Sequence, residues 1–332
     1  MDRALHLPVA SLPRLDDVLG LFERGEAAGY DAAYLPETWG RDAVTTLALA
    51  AERTDTIDLG TSILNVYSRS PALVGATAAT LQEAADGRFR LGIGPSGPAV
   101  IENWHGADFG NPLRRTREYV DVIRRVLSGE EVTYEGEYVD LQGFRLRCAP
   151  PDPAPPVEVA GMGPKAVELA GRFGDGWHAL LFTPEGLRDR LGDLERGAEL
   201  GDRDSDDLRT VLSLTCCVLE DGDRARELAR QHLAFYVGGM GTYYRDALAR
   251  QGFEERANAV YDAWQQGDRE AALAAFDDDL LDRLAVCGTP AEAEAALDRF
   301  AAVEGLDAAA VSFPRGAEVD EIHETIDALA PV

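Results

Sequence analysis

The sequence predicts an α/β protein, a (β/α)8 TIM barrel with a helical insertion after strand seven. Three observations predict it. Short apolar runs alternate eight times with stretches of helical spacing, the rhythm of parallel strands joined by crossover helices. The chain of 332 residues is long for one domain, yet ordinary for an α/β barrel, so residues 1–332 are expected to form a single unit. The rhythm breaks once, over residues 220–286, which read as a mostly helical insertion or lid. The competing architecture is an open doubly wound sheet. Against it, no GxGxxG turn follows the first strand, and phosphate-type glycines come only after strand five.

Taken in order, strand one is Arg3–Val9. The apolar spacing of Leu15, Val18, Leu19 and Phe22 makes Leu12–Ala28 a helix, stopped by Gly29. Strand two, Ala32–Leu35, runs into the loop Pro36–Asp42, and Ala43–Arg53 is a helix. Strand three, Ile57–Ile63, leaves strand geometry through Asn65, Tyr67 and Arg69. It stops at Pro71, whose missing N–H costs nothing at a helix start. Strand four, Phe89–Gly94, ends in Pro95-Ser96-Gly97-Pro98. Glu102, Trp104 and His105 follow, then an amphipathic helix, Thr116–Leu127, and a hairpin within Val132–Leu146. A Pro-rich linker leads to strand five, Val157–Ala160, and the turn Gly161–Lys165 opens the helix Ala166–Phe173. Gly176–Leu181 is strand six, Pro184–Leu200 a helix and Thr210–Leu219 strand seven. Within the insertion, Gly238-Gly239 reads as a flexible centre and Tyr243-Tyr244 as an aromatic lid. Thr289 is a good N-cap with Pro290 at the first helical position, so a helix spans Ala291–Val303. Ala308–Phe313 is strand eight and Val319–Leu329 the last helix.

The formal net charge is -27, from 32 basic and 59 acidic residues. Such a surface repels nucleic acid and anionic membranes, while 45% hydrophobic residues argue against disorder. Lys165 is the single lysine; every other cation is Arg. A GC-rich genome also favours Arg over Lys, but the acidic excess resembles halophilic proteins, whose self-repulsion salt screens. The N-terminus enters an apolar strand directly and no stretch suits a bilayer, so a cytoplasmic location is expected. Four cysteines show no CxxC or Cys/His cluster, which argues against zinc and for buried thiols. The Ala-rich outer helices make a homodimer an expectation.

No GxSxG elbow, Walker loop, HExxH or EF-hand loop is present, which leaves the chemistry to an organic cofactor. The strand ends suit one. Glu37, Thr38 and Trp39 follow strand two; Ser62, Ile63 and Asn65 follow strand three; Gly94, Ser96 and Gly97 follow strand four. Gly161, Gly163, Pro164 and Lys165 follow strand five, and Trp177 opens strand six. In a barrel the strand ends share a rim, which offers amides, small residues and aromatic walls to a planar heteroaromatic group with a phosphate tail. The Gly161–Lys165 turn reads either as a phosphate site at a helix N-terminus or as an ordinary βα turn. Trp39, Trp104 and Trp177 read singly as core as readily as site. His105 is a candidate proton donor, and Glu37 and Glu102 are candidate acids where burial raises them. Arg41 and Arg69 read as ligand countercharges or surface ion pairs.

Pro36–Asp42, SILNVYSRSPA over 62–72, LGIGPSGPAV over 91–100, Trp104-His105-Gly106 and GDGW over 174–177 together resemble the luciferase-like monooxygenase superfamily. More closely, they are similar to its coenzyme F420-dependent branch, which includes methylenetetrahydromethanopterin reductase. That resemblance covers nearly the whole chain and is strongest over residues 30–180. It implies a barrel with an insertion after strand seven. It also implies a non-prolyl cis peptide at Ser62–Ile63, behind the central ring of a deazaflavin. Thr38 falls where the family carries a histidine or serine and would offer a hydroxyl to the ring. Ser96 and Gly97 would meet the ring or its side chain, and Gly161, Gly163, Pro164 and Lys165 would hold the phosphate. With Trp39, Asn65, Gly94 and Trp177, these make the expected cofactor set. The implied reaction is hydride transfer between C5 of the deazaflavin and a small organic substrate, with Glu37 or His105 as proton donor. The alternatives are an FMN-dependent monooxygenase of the same superfamily and a non-catalytic flavin-binding barrel.

Overall fold

The computed structural model describes residues 1–8 and 12–331; the expected end of strand one at Val9 lies outside the described residues. Numbered in chain order, the barrel strands are β1 (Asp2–His6), β2 (Ala32–Leu35), β3 (Asp58–Thr61), β5 (Phe89–Gly94), β8 (Val157–Ala160), β9 (Gly176–Leu180), β10 (Arg209–Val218) and β12 (Ala308–Ser312). Neighbours pair in parallel in that order, and β12 pairs with both β10 and β1, which closes the ring. This is the predicted eight-stranded barrel.

Side-chain alternation builds two cores. Leu5, Ala33, Leu35, Leu59, Leu91, Val157, Val159 and Trp177 belong to the large core between strands and helices. Ala4, Ala32, Tyr34, Val211, Ala308 and Ala310 form a separate inner cluster. The inner set is small because the ring also encloses polar side chains, Arg90, Glu158 and His178. Gly60 makes room for one neighbour: a Cβ there would sit 2.6 Å from the Tyr34 ring.

Strand three is shorter than expected. Regular pairing stops at Thr61 and resumes as β4 (Leu64–Asn65) beside β5. Asn65 then turns the chain, its Oδ1 accepting from the amides of Tyr67 (3.0 Å) and Ser68 (2.8 Å). Ser70 caps the next helix, α3 (Pro71–Ala84), by accepting from Leu73 N. The helix expected from Thr116 starts earlier, as α5 (Pro112–Leu127), because Asn111 caps it and Pro112 takes the first position. The hairpin is β6 (Val132–Glu135) and β7 (Asp140–Phe144). It is anchored by Glu118, which is fully buried and accepts from the amides of residues 137, 138 and 139.

The insertion contains α8 (Gly222–Gly239), α9 (Thr242–Leu248), α10 (Glu254–Gln265), α11 (Arg269–Ala275) and α12 (Asp278–Leu284). Its glycines correct an expectation. Gly238 and Gly239 remain helical, and each faces Trp264; a Cβ on Gly238 would stand 2.5 Å from that side chain. They permit close packing, and the chain turns instead at Gly241, with φ 92°. A strand the sequence did not reveal, β11 (Ala285–Gly288), pairs with residues 215–218 of β10. Strand β10 overshoots the ring, and its far backbone groups need a partner. Cys216, Cys217 and Cys287 are buried, whereas Cys148 is exposed.

Candidate active site

At the C-terminal rim, Ser62 is held through every polar atom it has. Its N–H donates to the Leu35 carbonyl (2.8 Å). Its carbonyl lies 2.9 Å from His6 Nε2, and its hydroxyl 3.3 Å from His178 Nδ1. The Ser62–Ile63 peptide bond is cis. The Ile63 carbonyl accepts from Glu37 N (3.2 Å), joining the ends of strands two and three.

Behind Ser62 a polar column descends into the barrel. His178 Nε2 lies 2.7 Å from Glu158 Oε2, and Arg90 Nε lies 3.0 Å from Glu158 Oε1. Glu158 is fully buried. Burial alone would raise its pKa, yet His178 and Arg90 outweigh that and hold it down at about 2. An ionised Glu158 can only accept, so His178 Nε2 carries a hydrogen, and Nδ1 faces the Ser62 hydroxyl. His6 is lowered to about 4, first by burial and further by His178, against its bond to Ser62. It is therefore neutral near pH 7, donates from Nε2 and accepts at Nδ1 from the Ser213 hydroxyl (3.0 Å). These residues were missed in the sequence. The available signal was polarity inside apolar strands: Glu158 in VEVA and His178 in GWHAL.

The two expected proton donors are engaged otherwise. Glu37 is buried, and its carboxylate meets both terminal nitrogens of Arg69 and the Ala43 amide. Arg69 also pairs with Asp42. With three N–H donors on its oxygens, Glu37 ties the loops after β2 and β3 together, which corrects its assignment as a free acid. His105 is half-buried, with Nε2 3.4 Å from the Asn65 amide nitrogen. Asn65 itself is 1% exposed, so it shapes the turn and positions His105 and has no open face for a cofactor.

Thr38, Ile63, Ser96 and Gly97 are half-buried at the rim, and Trp39 and Trp104 are exposed there. Ser96 has a positive φ of 57°. Gly94 serves packing: a Cβ would lie 3.1 Å from Ala160 Cβ. Gly97 faces the Met240 carbonyl of the insertion. The turn after β8 leads into α6 (Pro164–Phe173), with Gly163 at the N-cap. Among the described residues no protein acceptor meets the amides of Gly163 and Lys165, and a Cβ on Gly163 would meet nothing within 4 Å. Two expectations shift here. Lys165 Nζ bonds Glu168 (2.7 and 3.0 Å), so its charge lies along the helix. Trp177 is fully buried and cannot face a cofactor; it braces the turn from behind, donating from Nε1 to the Gly161 carbonyl (2.8 Å).

A closed parallel barrel with a polar rim at its C-terminal end defines the ligand site of a (β/α)8 protein. The chain belongs to the luciferase-like monooxygenase family, whose model matches residues 3–307. It is 32% identical over 288 residues to a Mycobacterium tuberculosis protein that carries the name "Putative coenzyme F420-dependent oxidoreductase", covering 81% of this chain and 82% of that relative. It is 30% identical over 271 residues to 5,10-methylenetetrahydromethanopterin reductase of Archaeoglobus fulgidus, covering 80% of each. Its fold is similar to that of the coenzyme F420-dependent tetrahydromethanopterin reductase of Methanopyrus kandleri, with a TM-score of 0.86, 23% identity, and 99% and 97% of the two chains covered.

Proposed function

We propose that this protein is a coenzyme F420-dependent oxidoreductase that moves a hydride between the deazaflavin and a small organic substrate. The observation that carries the reading is the pairing of two features on one rim. A shelf at Ser62–Ile63 is pinned by His6, His178 and Leu35. An open helix N-terminus at Gly163–Lys165 presents free amides. The relative named for coenzyme F420, 32% identical over 81% of the chain, supports the choice of cofactor.

The residues present fit a planar ring with a phosphate tail. Gly163 and Lys165 offer amides and the positive end of the α6 dipole to the phosphate. Ser62 and Ile63 back the ring, and Thr38 offers a hydroxyl to it. Trp39 and Trp104 are exposed on the loops that follow β2 and β5 and would be available to cover a bound ring. When bound, the deazaflavin supplies a two-electron hydride carrier at C5. The protein contributes orientation and a dry, preorganised surface.

Fluorescence titration tests this. Coenzyme F420 is expected to bind at least about tenfold more tightly than FMN, a gap of about 1.4 kcal/mol. Gly163→Val, which fills the open turn, is expected to weaken that binding by a similar factor at a stability cost of about 1 kcal/mol from the poorer N-cap. Tighter binding of FMN, or binding of neither, would overturn the proposal.

A further inference from the structure

On the half of the rim away from the α6 turn lies a cleft that no sequence motif announces. His6 and Ser312 line it from β1 and β12, Ser213 and Thr215 from β10, and His232 and Tyr236 from α8; leucines and Phe182 complete the walls. No Asp, Glu, Lys or Arg is among its lining residues.

Its hydrogen bonding leaves a surplus of donors. His232 is 6% exposed, and its Nδ1 accepts from the Arg315 amide (3.0 Å). The hydrogen of the neutral ring therefore sits on Nε2, which finds no acceptor among the described residues, and the ring lines the cleft. Burial, with Arg315 and His6 nearby, lowers His232 to about 3 and keeps it neutral. His6 Nδ1 has one lone pair, yet two hydroxyls reach it, Ser213 at 3.0 Å and Ser312 at 3.4 Å. Only one can donate at a time, so the other is free. The site thus presents an imidazole N–H and a spare serine hydroxyl, beside Thr215 and Tyr236, within a largely apolar wall. A buried anion would need a cation in contact with it; among the described residues none lines the cleft, and Arg315, whose charge reaches His232 and Tyr236, stacks on Phe235 instead.

We propose that this cleft binds the reacting end of the substrate, and that the substrate is an uncharged carbonyl compound on a hydrocarbon body. Its oxygen accepts from His232 Nε2 and from whichever of Ser213 and Ser312 is free. The inference deepens the oxidoreductase reading by naming the substrate class of that site.

The test uses the full-length protein, with and without coenzyme F420, and the ring signals of its five histidines in NMR spectra, assigned by substitution. The probes are cyclohexanone and cyclohexanecarboxylate, similar in size and different in charge. Cyclohexanone is expected to shift His6 and His232 saturably, and the carboxylate to leave them unmoved at tenfold higher concentration. Ser213→Ala combined with Ser312→Ala should weaken ketone binding about five-fold. Equal response to the carboxylate, shifts confined to His105, His178 or His323, or unchanged affinity in the double variant would each overturn the proposal. Should that variant fail to fold, the two probes on the unaltered protein decide alone. Ketone binding without coenzyme F420 binding would sink the cofactor reading and leave this one standing; the reverse result would do the opposite.

Discussion

His6 and His232 are two rings folded in the neutral state. Their pKa values fall from 6.5 to about 4 and about 3, because burial disfavours the charged form. Below about pH 6.5 the unfolded chain takes up protons that the folded chain refuses, so stability falls as pH drops towards 4 and then 3. Glu158 adds a lower limb. Its contribution is present above 4.5 and is lost as pH falls towards about 2. The urea midpoint is therefore expected to decline from pH 6.5 downward. In His232→Gln that slope should be shallower by about one proton, or about 1.4 kcal/mol per pH unit over the range where the ring would titrate. An unchanged slope would show that His232 is not held neutral by the fold.

Among the elements, identical substitutions should act with opposite signs. Gly238 in α8 lies against Trp264, and an added methyl would intrude at 2.5 Å. Gly238→Ala is expected to cost about 1–3 kcal/mol through overpacking. Gly20 lies in α1 (Leu15–Ala27), where a Cβ meets nothing within 4 Å. Gly20→Ala should stabilise by about 0.5–1 kcal/mol, since only the unfolded chain loses freedom. Denaturant unfolding of the two variants checks both. A neutral Gly238→Ala would return that glycine to the hinge role its sequence suggested.

For the whole molecule the dominant quantity is a net charge of -27. Many of its carboxylates are paired with Arg, as in the Arg226 and Arg230 pairs with Asp278 and the Arg256 pairs with Asp277 and Asp279. The surplus still repels itself at low salt. The melting temperature is expected to rise between about 0.1 M and 1 M KCl, as the screening length shortens from about 10 Å to about 3 Å. A flat or falling melting temperature would count against the halophilic reading of the composition.

The barrel was legible in the sequence because it rests on local, repeated signals: apolar runs, helical spacing, caps and glycine turns. The Gly163 turn was found the same way, within a short motif, whereas the Ser62–Ile63 bond was implied only by the family resemblance of the stretch around it. The rest depends on partners far apart in the chain. Nothing local shows that Glu37 closes on Arg69 or that Trp177 braces the turn from behind, whereas the Lys165–Glu168 pair, three residues apart on one helix, was open to a local reading. His6, Ser62, Ser213 and His232 meet only once the ring closes and α8 folds over it. Periodicity decides which residues face inward. Only ring closure and packing decide which inward residues touch, and therefore which carry a hydrogen towards a ligand.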